Sequence, residues 1–308
     1  MTARFAAPTA LDDALAVLAA DPAARPVAGG TDLVVAARQG RKPLPDSIVA
    51  IDRISELAAA DVDVDGTLVL GALTSHAWLA ASSAVRSGWT ALADAAAIVG
   101  SPATRATGTV GGNLMNASPA AETVAPLVVF DAVATLRAAG RAARDLRVAE
   151  LATGPGRTTA AVSELLTRVR VPAAPAGSGS AYVRLEYRRA MEIAVVGAAA
   201  LITLTADGPS TRIVSARIAL TAVAPTIVRA STAEAAVAGA TADRDACRAA
   251  GAAAAAAASP IDDVRATSGY RRAMVEVVVA RTVAAAIARA RGEDVQVPAS
   301  RWAVGQEV

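Results

Sequence analysis

Two short glycine-rich segments are where the residue types of this 308-residue sequence best suit ligand chemistry: Val27-Ala-Gly-Gly-Thr-Asp-Leu33 and Gly108-Thr-Val-Gly-Gly-Asn-Leu114. Glycine lets the backbone reach positive φ and approach a ligand closely. Successive exposed N–H groups at such turns form a concavity matched to phosphate oxygens. Two turns facing each other would grip both phosphates of a dinucleotide, with Thr31 and Thr109 adding hydroxyl donors. Neither segment is the GxGxxG of a Rossmann site, and no Walker-type phosphate loop occurs. Taken singly, a Gly-Gly after a strand is also compatible with a plain tight turn. Other chemistry is narrowly bounded. Cys247 is the one cysteine, so the chain by itself holds no disulfide, iron–sulfur cluster or Cys-based zinc site. It reads as a small packing residue. His76 is the one histidine; following Thr74-Ser75 at a helix start, it reads as a surface or capping residue.

The elements that must position these segments follow from composition and periodicity. Hydrophobic residues make up 54% and charged residues 19%, which excludes a disordered chain and supplies a sizeable core. Aromatics are only 3%, so Ala, Val, Leu and Ile must fill that core. A net charge of +2, without a basic block, argues against nucleic-acid binding. Met1–Asp13 lacks the basic stretch and apolar run of a signal peptide. The apolar stretches Ile193–Ile202 and Ala249–Ala258 fall short of the ~18 residues of a membrane span, so a cytoplasmic location is expected.

The first half alternates helix and strand signals. Thr9 and Asp12 have capping-box spacing, and Leu11, Leu15 and Leu18 recur at helical spacing. Thr31–Arg38 reads as helix, Ser47–Ile51 as strand, and Val62–Leu73 as a hairpin around Asp65-Gly66. Trp89–Val99 reads as a helix ending at Gly100, Gly108–Asn113 as a second glycine turn, Thr123–Phe130 as an apolar segment and Ala132–Ala138 as a strand. Pro172–Ser180 is the clearest linker. Beyond it, Ile193–Thr205 and Ile213–Ala222 read as strands joined by an Asp207-Gly-Pro turn. Ser231 and Glu234 have capping-box spacing, Ala252–Ala258 reads as packed helix, and a last helix spans Gly269–Arg291. The expectation is an α+β chain of two domains, residues 1–175 and 176–308, the second a three-stranded antiparallel sheet backed by a helical bundle.

The segment from Arg105, RATGTVGGNLMNASPAAETVAPLVVFDA, together with VAGGTDL at 27–33, ELLTRVRVP at 164–172 and AYVRLEYRRAMEIAVVGAA at 181–199, resembles the FAD-binding medium subunits of molybdenum hydroxylases. These are the flavin subunits of the carbon monoxide dehydrogenase and xanthine dehydrogenase family. The resemblance covers essentially the whole chain. It implies a two-part FAD-binding domain of the vanillyl-alcohol-oxidase type and a noncovalent FAD. Val27, Ala28, Gly29, Gly30, Thr31, Asp32 and Leu33, with Thr109, Val110, Gly111, Gly112 and Asn113, would wrap the pyrophosphate largely through main-chain N–H groups. Glu122 stands where the family usually has Asp contacting the ribose and ribityl region. Leu166 falls where a backbone group meets the flavin edge. Tyr182 and Arg184 match positions near the isoalloxazine ring, Arg184 where Lys is common. Arg105 matches the arginine before the second turn, although the Asn that often follows it is Ala106 here, with Thr107 a substitute donor.

The resemblance also implies partners: a large subunit with the molybdenum cofactor and a small subunit with [2Fe-2S] clusters, as a dimer of heterotrimers. Electrons would pass from those clusters through FAD to an external acceptor such as NAD, oxygen or a quinone. No residue is nominated for proton transfer and none for a metal. Two other readings remain: a nucleotide-binding assembly scaffold without flavin turnover, and a self-contained FAD oxidase. Some residues keep a structural alternative. Asp32 is also a helix-cap candidate, Glu122 a helix-terminal charge, and Arg188-Arg189 a structural or subunit-contact pair.

Overall fold

The computed structural model describes residues 4–188, 190–205 and 211–304. Its first part is a small parallel α/β unit. β1 (Arg4–Ala6), α1 (Leu11–Ala20), β2 (Ala24–Val27), α2 (Leu33–Arg38) and β3 (Ser47–Ala50) follow one another, and β3 lies between β1 and β2, parallel to both. The leucine stripe of α1 buries Leu11, Leu15 and Leu18 against Val49, Ile51 and Ile54. The Thr9 box does not form: α1 is preceded by extended Ala10 and no side chain caps it, so Thr9 sits one residue too early. α2 starts at Leu33 rather than Thr31, because Gly30 takes φ +64 and breaks the helical path.

The second part is built on a five-stranded antiparallel sheet. β4 (Ala60–Val62) and β5 (Leu68–Gly71) form the expected hairpin, with Gly66 at φ +80. A run of short helices follows: α3 (His76–Ala81), α4 (Ser83–Gly88), α5 (Thr90–Ala97), α6 (Pro102–Thr107), α7 (Val110–Asn116) and α8 (Val124–Val129). Ser75, Ser82, Ser101 and Thr109 each accept an N–H bond at the start of one of them, which is how local side chains fix four helix origins. β6 (Val133–Arg137), β7 (Arg144–Arg147), α9 (Val148–Leu151), β8 (Ala152–Gly154), β9 (Arg157–Thr158) and β10 (Leu165–Val171) complete it. β10 inserts between β5 and β6, giving the order β4-β5-β10-β6-β7. The segment 108–113 is therefore corrected from a turn to the entry of α7.

The third part is an antiparallel sheet of β11 (Ser178–Leu185), β12 (Val196–Leu204), β13 (Ile213–Thr221) and β14 (Val228–Arg229), in that order. The two-residue β14 makes it four-stranded where three strands were expected. The Asp207-Gly-Pro turn lies outside the described residues. α10 (Ser231–Val237), α11 (Arg244–Ala254), α12 (Ser268–Ala290) and α13 (Ala299–Ala303) follow. β12 is buried on both faces, which explains its unbroken apolar sequence. One face meets α12; the other puts Tyr182, Ala199, Leu201 and Ala219 into the core of the five-stranded part.

Three local expectations change here. Pro172–Ser180 ends not as linker but as the start of β11, where Gly179 is required: a Cβ there would stand 2.2 Å from the Ala286 carbonyl oxygen of α12. Ala252–Ala258 is helical only to Ala254, followed by a 3-10 turn over Ala255–Ala257. Ser231 caps nothing, since α10 is preceded by Ala230, and Glu234 instead accepts from Ile218 N–H and the Arg229 guanidinium.

The seam between the sheets is held by polar bonds as well as apolar contact. The Asp94 carboxylate of α5, wholly buried, accepts from Arg289 at 2.6 and 2.9 Å and from the N–H groups of Tyr182 and Ala299. Asp131 takes Arg217 and Arg229 at 2.9 and 3.0 Å.

Candidate cofactor site

After β2 the chain has left its sheet and not yet entered α2. Val27 still accepts from Ile51 N–H, and Val34 N–H and Ala36 N–H return to Gly30 and Asp32 carbonyls. Between them, the N–H groups of Ala28, Gly29, Gly30, Thr31, Asp32 and Leu33 donate no hydrogen bond among the described residues. Backbone donors are ordinarily paired. An uninterrupted run of free ones, turned by Gly30 at φ +64, is chemically suited to a ligand rich in acceptors. Asp32 is not a cap: its φ and ψ are helical, and its side chain bonds no helix N–H.

This run lies against the second segment. A Cβ on Gly29 would stand 1.9 Å from the Thr107 carbonyl oxygen at the end of α6, so the two backbones touch. The second segment does a different job from the one expected of it. Val110 N–H goes to the Thr74 carbonyl, Gly111 N–H to Ala72, Gly112 N–H to Thr109 Oγ1 and Asn113 N–H to the Thr109 carbonyl, all at 2.9–3.0 Å. Those four N–H groups are spent inside the protein, a correction to the expectation that the second segment offers its main-chain N–H groups to the phosphates. Gly111 is a packing glycine, its Cβ position 2.7 Å from Ala72, whereas Gly112 is exposed. What the second segment offers is the half-buried Asn113 side chain, its oxygen taken by Thr123 Oγ1 at 2.9 Å and its NH2 left to donate. Arg105 reaches back from α6 to the Val99 carbonyl at 3.0 Å. Exposed Thr107 faces the first segment with its backbone rather than standing in for an Asn side chain.

The other expected residues form a closed cluster. Arg184 of β11 pairs with Glu122 at 2.6 Å and with Glu186, and its side chain is wholly buried. Burial pushes the Glu122 carboxyl above the usual carboxylate range, and the guanidinium opposes that rise. Against the lowering effect of burial, the two carboxylates keep Arg184 charged. Glu122 is thus an ion-pair partner first, and any ribose contact is secondary to that. Tyr182 is fully enclosed, its hydroxyl packed over Gly197, where a Cβ would stand 2.4 Å away. Leu166 is buried on β10 just before a bulge at Thr167, beyond the reach of β5 pairing.

Three residues were passed over in the sequence or misjudged. His76 is buried, not on the surface; its N–H donates to the Gly108 carbonyl at 3.1 Å, and burial, helped by Arg105, pushes its imidazole down to about 4. Nothing in a Thr-Ser-His helix start distinguishes a buried from an exposed ring. Asp94 sits in an alanine-rich helix with no local sign of its partners. Glu186 had a signal: it is two residues from Arg184, the spacing that puts side chains on one face of a strand. Arg188 pairs with Glu192 at 3.2 Å on the surface, and Arg189 lies outside the described residues. Cys247 is a buried packing residue whose thiol burial pushes up to about 11. Among the described residues there is no metal-holding group of three or more His, Cys, Asp or Glu, and no helix long and apolar enough to cross a membrane.

Comparison with known proteins adds the following. Residues 1–174 match the model of the FAD-binding domain in molybdopterin dehydrogenase, and residues 180–286 that of the CO dehydrogenase flavoprotein C-terminal domain. The chain is 32% identical to the 6-hydroxypseudooxynicotine dehydrogenase complex subunit alpha of Paenarthrobacter nicotinovorans, over 87% of this chain and 88% of that one. It is 31% identical to the carbon monoxide dehydrogenase medium chain of Afipia carboxidovorans, over 92% and 96%. Among solved structures, carbon monoxide dehydrogenase from Hydrogenophaga pseudoflava superimposes with a TM-score of 0.86 at 31% identity, covering 93% of this chain and 97% of that one. Quinoline 2-oxidoreductase from Pseudomonas putida does so at 0.84 and 28% identity, covering 94% and 97%.

Proposed function

Because the chain belongs to the FAD-binding subunits of the molybdenum hydroxylases, of carbon monoxide and xanthine dehydrogenase type, we propose that it is the electron-transfer flavoprotein subunit of such a complex. The observation that carries this reading is the run of unpaired N–H groups from Ala28 to Leu33. It fits a pyrophosphate, whose oxygens accept but never donate. Thr31 Oγ1 beside it and the Asn113 amide add side-chain donors. FAD, when bound, would supply the redox chemistry by which electrons from the [2Fe-2S] clusters of a small subunit could reach an external acceptor.

The chain's own residues hold and position. The first segment binds the phosphates. The α7 entry, with its internal bonds to Ala72 and Thr74, keeps the second wall rigid. The Glu122–Arg184–Glu186 cluster ties β11 to the segment that carries Glu122. No proton-transfer step is assigned to any residue. The molybdenum cofactor belongs to a large subunit, the assembly is a dimer of heterotrimers in a cytoplasmic setting, and residues 1–175 and 176–308 are the two domains of this chain.

A second reading, a nucleotide-binding scaffold without flavin turnover, draws on the sealing of Tyr182 and Arg184. One experiment separates them. The complex is purified with its partners, its flavin identified after denaturation, and substrate added. Noncovalent FAD whose absorbance bleaches on substrate addition, only with the partners present, supports electron transfer. A complex that turns over unchanged after its FAD is stripped leaves the scaffold.

A further inference from the structure

The point where the two glycine segments cross contains one residue that nothing above employs. His76 begins α3 and is 2% exposed. Its backbone N–H ties it to the Gly108 carbonyl, and its ring lies against Gly108: a Cβ there would be 3.2 Å from His76 Cδ2 and 3.5 Å from Thr31 Oγ1. Imidazole, Gly108 and the Thr31 hydroxyl therefore meet at one spot, the edge of the unpaired N–H run. His76 Nδ1 is enclosed and has no hydrogen-bond partner among the described residues. An enclosed, unsatisfied ring nitrogen is costly and calls for an explanation.

We propose that His76 is a further cofactor-binding residue, its imidazole hydrogen-bonding the FAD phosphates where the two glycine segments cross. The inference rests on the reading of this site as the FAD site. A half-turn of the ring exchanges Nδ1 with Cδ2, which carries the orphaned nitrogen to the side of Gly108 and Thr31. The ring is neutral at physiological pH and presents one N–H, the form that donates to a phosphate oxygen without adding a buried charge.

Because His76 is the chain's one histidine, the test is direct. The full chain is labelled with 15N in the histidine ring, freed of flavin and titrated with FAD, while FAD affinity is measured by flavin fluorescence. Both ring-nitrogen signals should move at saturation. Replacement by Phe, which fills the same space without a donor, should weaken FAD binding about tenfold, and His76→Asn should recover part of the loss. Ring signals unmoved by saturating FAD overturn the inference even if the variants fail to fold, and so does His76→Phe binding FAD as tightly as the wild type. A wild-type chain that binds no FAD overturns the parent reading and this inference together.

Discussion

Replacing Gly29 by alanine tests the contact on which the cofactor cradle depends. The added Cβ would lie 1.9 Å from the Thr107 carbonyl oxygen and 2.7 Å from its carbon, against backbone that cannot swing aside as a side chain does. To restore ordinary van der Waals contact the two segments must part by about 1.5 Å. Overpacking of this kind costs about 1–3 kcal/mol. If that strain is relieved in the free chain and re-imposed when phosphate draws the segments together, it falls on binding, weakening FAD affinity roughly 5- to 150-fold. Gly40→Ala is the control: Gly40 has φ +67 but open space around its Cβ position, so only backbone strain of about 1 kcal/mol is added, away from the cradle. Fluorescence titration of flavin-free chains gives the affinities, and urea unfolding gives the stabilities. Gly29→Ala binding FAD like the wild type, with unchanged stability, would refute the idea that this contact sets the cradle.

Two further outcomes are expected. Asp94→Ala strands the Arg289 guanidinium and two backbone N–H groups in the seam, and should lower unfolding free energy by about 3–5 kcal/mol; Asp94→Leu with Arg289→Met should recover only the part owed to the unpaired guanidinium, since the N–H groups of Tyr182 and Ala299 stay unpaired. A double variant no more stable than the single one would show that the seam needs the charge pair itself. The second outcome concerns pH. His76 titrates near 4 when folded and near 6.5 when unfolded, so as pH falls through 6.5 the unfolded chain takes up a proton that the folded chain refuses. Stability of the flavin-free chain should thus drop by about 3 kcal/mol between pH 7 and 4, and urea unfolding of His76→Phe should lack that part of the slope. Identical slopes would contradict the burial argument.

Much of this molecule is readable from short stretches of chain. The leucine stripe of α1, the Asp65-Gly66 hairpin and the apolar run of β12 each follow from periodicity and one or two turn residues. The place of the first glycine segment between a strand and a helix was legible for the same reason, since Gly30 at φ +64 is a local feature of the chain. Other features obeyed distant chain. Ser231 and Glu234 had the spacing of a capping box, yet Glu234 was claimed by Arg229 and Ile218 across the sheet. Gly112 kept its place in the motif, yet its N–H went to Thr109.

By itself the sequence determined the local conformations and, through four ordered motifs, the family. Capping, positive φ and amphipathic spacing are energies between neighbours in the chain, so a few letters suffice to specify them. Tertiary structure alone decided which donors stayed free, that Glu122 belongs to Arg184 sixty-two residues away, that Asp94 anchors the seam, and that His76 is inside. Those outcomes turn on desolvation and on which groups chain closure brings within hydrogen-bond reach, and neither is a property of any short segment.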